Sequence, residues 1–79
     1  MLREDIKKIN MLIEVILRMI PKEREAQGVY GETAKKAPSE MSRRLFEHLA
    51  SQEAEHEKKL RAALDLLEKE KEKLSKPVS

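Results

Sequence analysis

LREDIKKINMLIEVILRMIPKEREAQGVYGETAKKA, residues 2–37, is the stretch of sequence that decides the fold. Along it, a stripe of mostly apolar positions alternates between spacings of four and three residues, which is typical of a long amphipathic helix packed in a bundle. Pro21 falls inside this stretch and would delete a backbone hydrogen bond, so we expect a kink or a short break near Ile20. The stripe consists of Leu2, Ile6, Ile9, Ile13, Ile16, Ile20, Glu23, Gln27, Tyr30, Ala34 and Ala37.

A second helix is predicted after the turn at Pro38. Ser39 is a suitable N-cap because its hydroxyl can accept a hydrogen bond from a free backbone N–H, and Glu40 places an acid in the first turn. The stripe of this second helix consists of Leu45, Leu49, Glu53, His56, Leu60, Ala63 or Leu64, and Leu67.

The two stripes predict one all-α domain over residues 1–79, folded as an antiparallel two-helix hairpin. We expect the first helix at about 2–37, the second helix at about 40–74 and a tail at 75–79. Since the two helices follow each other across a short turn, they should pack side by side.

A lone hairpin of this composition has too little apolar material for a closed core. The chain has 79 residues, 39% of them hydrophobic, and no cysteine that could supply disulfides, thiolate zinc sites or iron–sulfur clusters. We therefore expect a homo-oligomer, a dimer or a multiple of dimers, in which two hairpins form a four-helix bundle. The residues assigned to the core and to the contact between hairpins are Ile9, Met11, Leu12, Ile13, Ile16, Leu17, Met19 and Ile20.

Charge is plentiful and nearly balanced, with 17 Lys and Arg against 15 Asp and Glu and a net charge of +2. Because the two signs alternate along the chain, they are typical of solvated helix surface and not of a nucleic-acid interface. No run of about 20 apolar residues is present, so we expect no membrane helix. Residues 1–5, MLRED, include acids and do not resemble a secretory signal, which favours a cytoplasmic protein.

Both stripes are apolar at their ends and carry ionisable residues in their middles. Glu23 lies 15 residues before Pro38 and Glu53 lies 15 residues after it, which puts each carboxylate about 22 Å from the turn. His56 follows Glu53 by three residues, so a carboxylate and an imidazole share one helix face. Glu23, Glu53 and His56 are therefore the candidate metal ligands.

A two-fold pair of hairpins would bring four glutamates and two histidines together. Di-iron and di-manganese carboxylate bundles use this ligand set, with a lone Glu from each of two helices and Glu-x-x-His from each of the other two. The residues therefore predict a two-metal site that two copies of the chain share.

Glu23, Tyr30 seven residues later and the Glu-x-x-His motif at 53–56 resemble one half of the ferritin and rubrerythrin-like superfamily. The run RLFEHLASQE at 44–53 is similar to the approach to the metal-binding helix of that family, and the resemblance covers about residues 20–67. Family members usually hold four helices in one chain. A two-helix chain is most similar to encapsulated ferritins, so the resemblance implies a hairpin that dimerises into a ferritin-like four-helix bundle.

In this superfamily the lone Glu is a terminal ligand, the Glu of Glu-x-x-His bridges two irons, the His is terminal, and a nearby Tyr hydrogen-bonds a ligand carboxylate. The resemblance assigns these roles to Glu23, Glu53, His56 and Tyr30, respectively. It implies two irons per dimer, with manganese also compatible. It further implies an oxidoreductase of the ferroxidase type, which binds Fe(II) and oxidises it with dioxygen or peroxide.

Two other functions are compatible with the sequence. One is rubrerythrin-like peroxide reduction at the same site, and the other is a metal-free helical oligomerisation or adaptor module. Near the proposed ligands, Glu47, His48, Glu55 and Glu57 are expected to face solvent.

Overall fold

The computed structural model describes residues 2–75 and consists of two long antiparallel helices. Helix α1 spans Leu2–Lys36 and helix α2 spans Glu40–Ser75, and no strand occurs within the described residues. The predicted all-α hairpin is confirmed. The tail predicted at 75–79 lies outside the described residues except for Ser75.

A short turn at residues 37–39 reverses the chain. The Ala37 amide donates to the Ala34 carbonyl (3.2 Å), and Ser39 then caps α2. The Ser42 amide donates to the Ser39 hydroxyl (3.1 Å), while the Ser39 amide donates to the Ser42 hydroxyl (3.2 Å). This reciprocal pair satisfies two backbone donors that the start of a helix leaves free.

Replacing Ser39 by alanine should therefore lower the free energy of unfolding by about 1 kcal/mol, because the Ser42 amide loses its acceptor. Urea unfolding at one fixed protein concentration measures the change. Thr33→Ala is the control, since the Thr33 hydroxyl donates only to a carbonyl inside α1 and leaves no helix terminus uncapped. Equal stability of Ser39→Ala and wild type would contradict the capping role.

Helix α1 continues through Pro21 without an interruption. The short break predicted near Ile20 is therefore absent, and the kink stays a prediction. Proline removes one backbone donor, and the surrounding turns nevertheless keep their helical hydrogen bonds, because the apolar stripe holds α1 against α2 on both sides of Pro21.

The predicted stripe of α1 packs against α2. Ile9, Ile20 and Ala34 are buried, and every other measured position of the stripe is half-buried. The prediction succeeds because large aliphatic side chains mark this face clearly in the sequence.

On α2 the inward-facing residues differ from the prediction at two places. Leu45 is 55% exposed, and Phe46 lies at the interface instead, with its ring centroid 6.3 Å from that of Tyr30. His56, predicted on the stripe, has a side chain that is 54% exposed, whereas its neighbour Glu57, predicted to face solvent, is only 14% exposed and contacts α1. The other predicted stripe positions of α2 are half-buried. The difference at Glu57 arises because a charged residue carries no apolar signal.

The hairpin leaves much of its apolar surface uncovered. Its radius of gyration is 18.2 Å, whereas a compact chain of this length would have one of about 12 Å. Four α1 residues predicted as core or contact residues are exposed in the single hairpin, namely Met11, Leu12, Leu17 and Met19. Met41, Leu45 and Leu66 on α2 are exposed as well. We call Leu12, Met19, Met41, Leu45 and Leu66 the open apolar face. Neither α1 nor α2 has a stretch long and apolar enough to cross a membrane.

Candidate metal centre

Glu23 on α1 meets Glu53 and His56 on α2 at one level of the hairpin. His56 Nδ1 lies 3.6 Å from Glu23 Oε2 and 3.5 Å from Glu53 Oε2. One potential ligand atom from each of the three residues lies within 4.8 Å of the other two, so the group could hold a metal ion. The structure thus brings together the three residues that the sequence singled out.

One oxygen of this group is buried without a hydrogen bond. Glu23 Oε2 has no donor within residues 2–75, and the Glu23 side chain is only 16% exposed. A buried carboxylate oxygen that lacks a donor is costly, and a bound cation removes that cost.

The donor set fits iron or manganese. Two carboxylates and one imidazole suit Fe(II) and Mn(II), and the described part of the chain contributes no sulfur ligand at this level. One hairpin offers three donor residues, which leaves coordination positions for further ligands. The side chain of His56 is 54% exposed, so the group is accessible from the side of the hairpin on which His56 lies.

This accessible side also carries the open apolar face. Met19 lies one helical turn from Glu23 on α1, and helical spacing places Leu12 and Leu45 on the same side, about three turns from Glu23 and His56 respectively. A second molecule that covered this side would therefore cover both the proposed ligands and exposed apolar residues.

Tyr30 lies two turns from Glu23 on the same stripe and is half-buried. Its ring contacts Phe46 at a tilt of 43°, and within residues 2–75 its hydroxyl forms no hydrogen bond to Glu23 or Glu53. In the single hairpin Tyr30 therefore packs as an aromatic side chain.

The sequence reasoning missed a second polar cluster at the level of the ligands. Gln27 Nε2 donates to Glu57 Oε1 (2.9 Å), and Glu57 Oε2 lies 3.3 Å from Arg24 and 2.8 Å from Arg61. Hydrogen bonds from Arg61 first, and from Gln27 second, hold the pKa of Glu57 below its ordinary value. The available signal was Gln27, a second polar residue on the α1 stripe, one helical turn after Glu23.

The other residues near the site face solvent, as predicted. His48 is exposed, and Glu55 forms an exposed ion pair with Lys58 on the same helix. Neither side chain is placed to join the three candidate ligands.

Comparison with known families gives one relevant match. The family model described as Rubrerythrin matches residues 14–78, which include all three candidate ligands. No curated protein and no solved structure matches the chain.

Proposed function

The chain belongs to the rubrerythrin family, and on that premise we propose that it is a di-iron carboxylate protein that binds and oxidises Fe(II) at a site shared by two copies. The observation that carries the proposal is the group of Glu23, Glu53 and His56, with a Glu23 oxygen that is buried between the helices and accepts no hydrogen bond within residues 2–75. We assign these three residues as ligands in each copy.

Ligand number and charge support a shared site. One hairpin supplies two carboxylates, so a pair supplies four, whose negative charges balance two divalent cations. With one imidazole from each copy, the pair reaches the ligand set of di-iron carboxylate bundles. A single hairpin would leave most coordination positions of one ion to water.

The open apolar face supports the same pairing. It lies on the accessible side of the hairpin, on both sides of the ligand level, so a second copy would cover the apolar surface and complete the site at once. In such a pair Tyr30 would lie at the new contact, where its hydroxyl could reach a ligand carboxylate of the partner subunit.

Two Fe(II) ions bound together would each give up one electron and become Fe(III), and these two electrons, with two protons from solvent, would reduce one hydrogen peroxide to two waters. The protein's own part is to hold both substrate ions close together and to balance their charge. By the family resemblance, Glu53 would bind both ions, and Glu23 and His56 would each bind one. The surrounding apolar residues limit access of water to the pair.

Anaerobic loading with Fe(II), followed by addition of dioxygen or peroxide, tests this function. We expect about one iron per chain, a mass in solution of a dimer or a multiple of dimers, and rapid oxidation of the bound iron. A protein that stays monomeric and metal-free after loading would contradict the proposal and favour an adaptor module. Catalytic peroxide turnover with an added reductant would identify the peroxidase alternative.

The pairing also has an expected orientation, which crosslinking can measure. Met41 lies 12 residues before Glu53 and Leu66 lies 13 after it, about 18 and 20 Å from the ligand level. In an antiparallel pair, Met41 of one copy therefore faces Leu66 of the partner subunit. Since the chain has no native cysteine, the double variant Met41→Cys, Leu66→Cys should be joined into dimers by a short thiol crosslinker.

The single variant Met41→Cys is the matched control. Its two thiols would lie about 36 Å apart in an antiparallel pair, so it should stay uncrosslinked. Efficient crosslinking of the single variant would indicate a parallel pair and contradict the proposed arrangement.

A further inference from the structure

The Glu57 cluster lies on the opposite side of the interhelix contact from His56. Glu57 and His56 are neighbours on α2, and Arg24 and Glu23 are neighbours on α1. Because successive helical residues are about 100° apart, each neighbouring pair straddles the contact. The candidate ligands lie on one side, and the cluster of Arg24, Gln27, Glu57 and Arg61 lies on the other.

This cluster joins the two helices through polar groups. Gln27 and Glu57 are 30 residues apart in sequence and directly hydrogen-bonded, and Arg24 adds an ion pair from α1 to the same carboxylate. The His56–Glu23 contact also joins the two helices, but it belongs to the candidate ligands themselves. Ion pairs such as Arg43–Glu47 join positions three or four apart on one helix and cannot align two helices. The aliphatic contacts of the stripe are non-directional, so they tolerate small sliding and rotation.

The position of the cluster along the hairpin matters for the ligands. Gln27 is four residues after Glu23, and Glu57 is four residues after Glu53, so each is one helical turn from a candidate ligand. Fixing the Gln27–Glu57 distance therefore fixes the relative height and rotation of the helix turns that carry Glu23, Glu53 and His56.

The cluster also engages the Glu57 carboxylate, which could otherwise compete with Glu23 and Glu53 for a metal ion. Both oxygens of Glu57 are engaged, Oε1 by Gln27 and Oε2 by Arg24 and Arg61. By contrast, Glu23 Oε2 has no donor within residues 2–75. Glu57 and Glu23 thus differ in their partners, although both face inward at nearly one level of the hairpin. Arginine side chains neutralise Glu57, whereas Glu23 remains available to a cation.

We propose that Gln27 and Glu57 are positioning residues for metal binding, which set the alignment of the two helices at the ligands and keep the Glu57 carboxylate out of the coordination sphere. The inference rests on the proposed metal site and adds to it residues that contact no metal. It predicts that their loss changes the coordination geometry as well as the stability of the hairpin.

Cobalt(II) titration of the metal-free full chain is the test, since the visible spectrum of bound Co(II) reports ligand geometry. Gln27→Ala should weaken Co(II) binding by about tenfold to a hundredfold and alter the spectrum, because the alignment of the ligands is lost. Glu57→Gln, which keeps the size and loses the charge, should change binding in the same direction. Circular dichroism establishes that each variant remains helical.

Two further variants make the result specific. The exchange variant Gln27→Glu, Glu57→Gln restores an amide–carboxylate pair between the helices and should recover the wild-type spectrum. Glu47→Gln removes an exposed ion pair within α2 and should leave affinity and spectrum unchanged.

The outcomes separate this inference from the proposed function. If Gln27→Ala lowered the melting temperature but kept the wild-type Co(II) affinity and spectrum, the cluster would have only a structural role. That result would overturn the inference. A wild-type protein that binds no Co(II), Fe(II) or Mn(II) would overturn the proposed function, and the inference with it.

Discussion

Replacing Glu53 by alanine should abolish the two-metal centre. In a two-fold pair one substitution removes two carboxylates, the pair that we assign between the two ions. Iron bound after anaerobic loading should fall from about one per chain to near zero, and oxidation of Fe(II) should fall to the rate of free iron. Elemental analysis and stopped-flow absorbance measure the two quantities.

Glu55→Ala is the matched control for this prediction. Glu55 lies two residues further along α2, carries the same charge and is 60% exposed beside Lys58. It should retain wild-type iron binding and oxidation. If Glu55→Ala lost iron while Glu53→Ala kept it, the chemistry would belong to the outer face of α2, and our assignment of the site would be wrong.

His56→Ala should have a smaller effect than Glu53→Ala. It removes one exposed terminal donor from each copy and leaves all four carboxylates. A weaker site that still binds iron is therefore expected, and the ranking of the two variants tests the roles assigned to them.

The hairpin and the meeting of Glu23 with Glu53 were predictable from the sequence. On α1, large aliphatic residues recur at helical spacing, so the buried face has a strong signal, which Ile9 and Ile20 confirm. Glu23 and Glu53 were predicted to lie at the same height along the hairpin because each is 15 residues from Pro38. Both helices start at the same short turn and rise by the same length per residue, so equal sequence distances give equal heights.

The inward face of α2 was harder to predict around the site. Residues 53–59 read EAEHEKK, so apolar periodicity disappears where the ligands lie. Which glutamate points inward then depends on partners on the other helix, and Glu57 finds them in Gln27 and Arg24. Leu45 and Phe46 pose the same difficulty, because adjacent apolar residues fit two neighbouring faces equally well.

Bound metal should be the largest single contribution to the stability of the assembled protein. Without it, a pair of hairpins gathers four carboxylates in its centre, and the unpartnered Glu23 oxygen of each copy stays buried. At a free metal concentration a hundredfold above the dissociation constant, binding adds about 2.7 kcal/mol. Anaerobic thermal unfolding with Mn(II) or Fe(II), at one protein concentration, should show a midpoint higher by on the order of 10 °C.

Two comparisons make this prediction specific. Glu53→Ala should show no metal-dependent shift, and its metal-free form should unfold no earlier than the metal-free wild type, because the substitution relieves repulsion between clustered carboxylates. The wild-type midpoint should also rise with protein concentration, since the open apolar face is covered only when two copies associate. If adding metal left the wild-type midpoint unchanged, the prediction would be wrong. Any bound ion would then lie on the surface, because an ion between the four carboxylates would have stabilised the assembled protein.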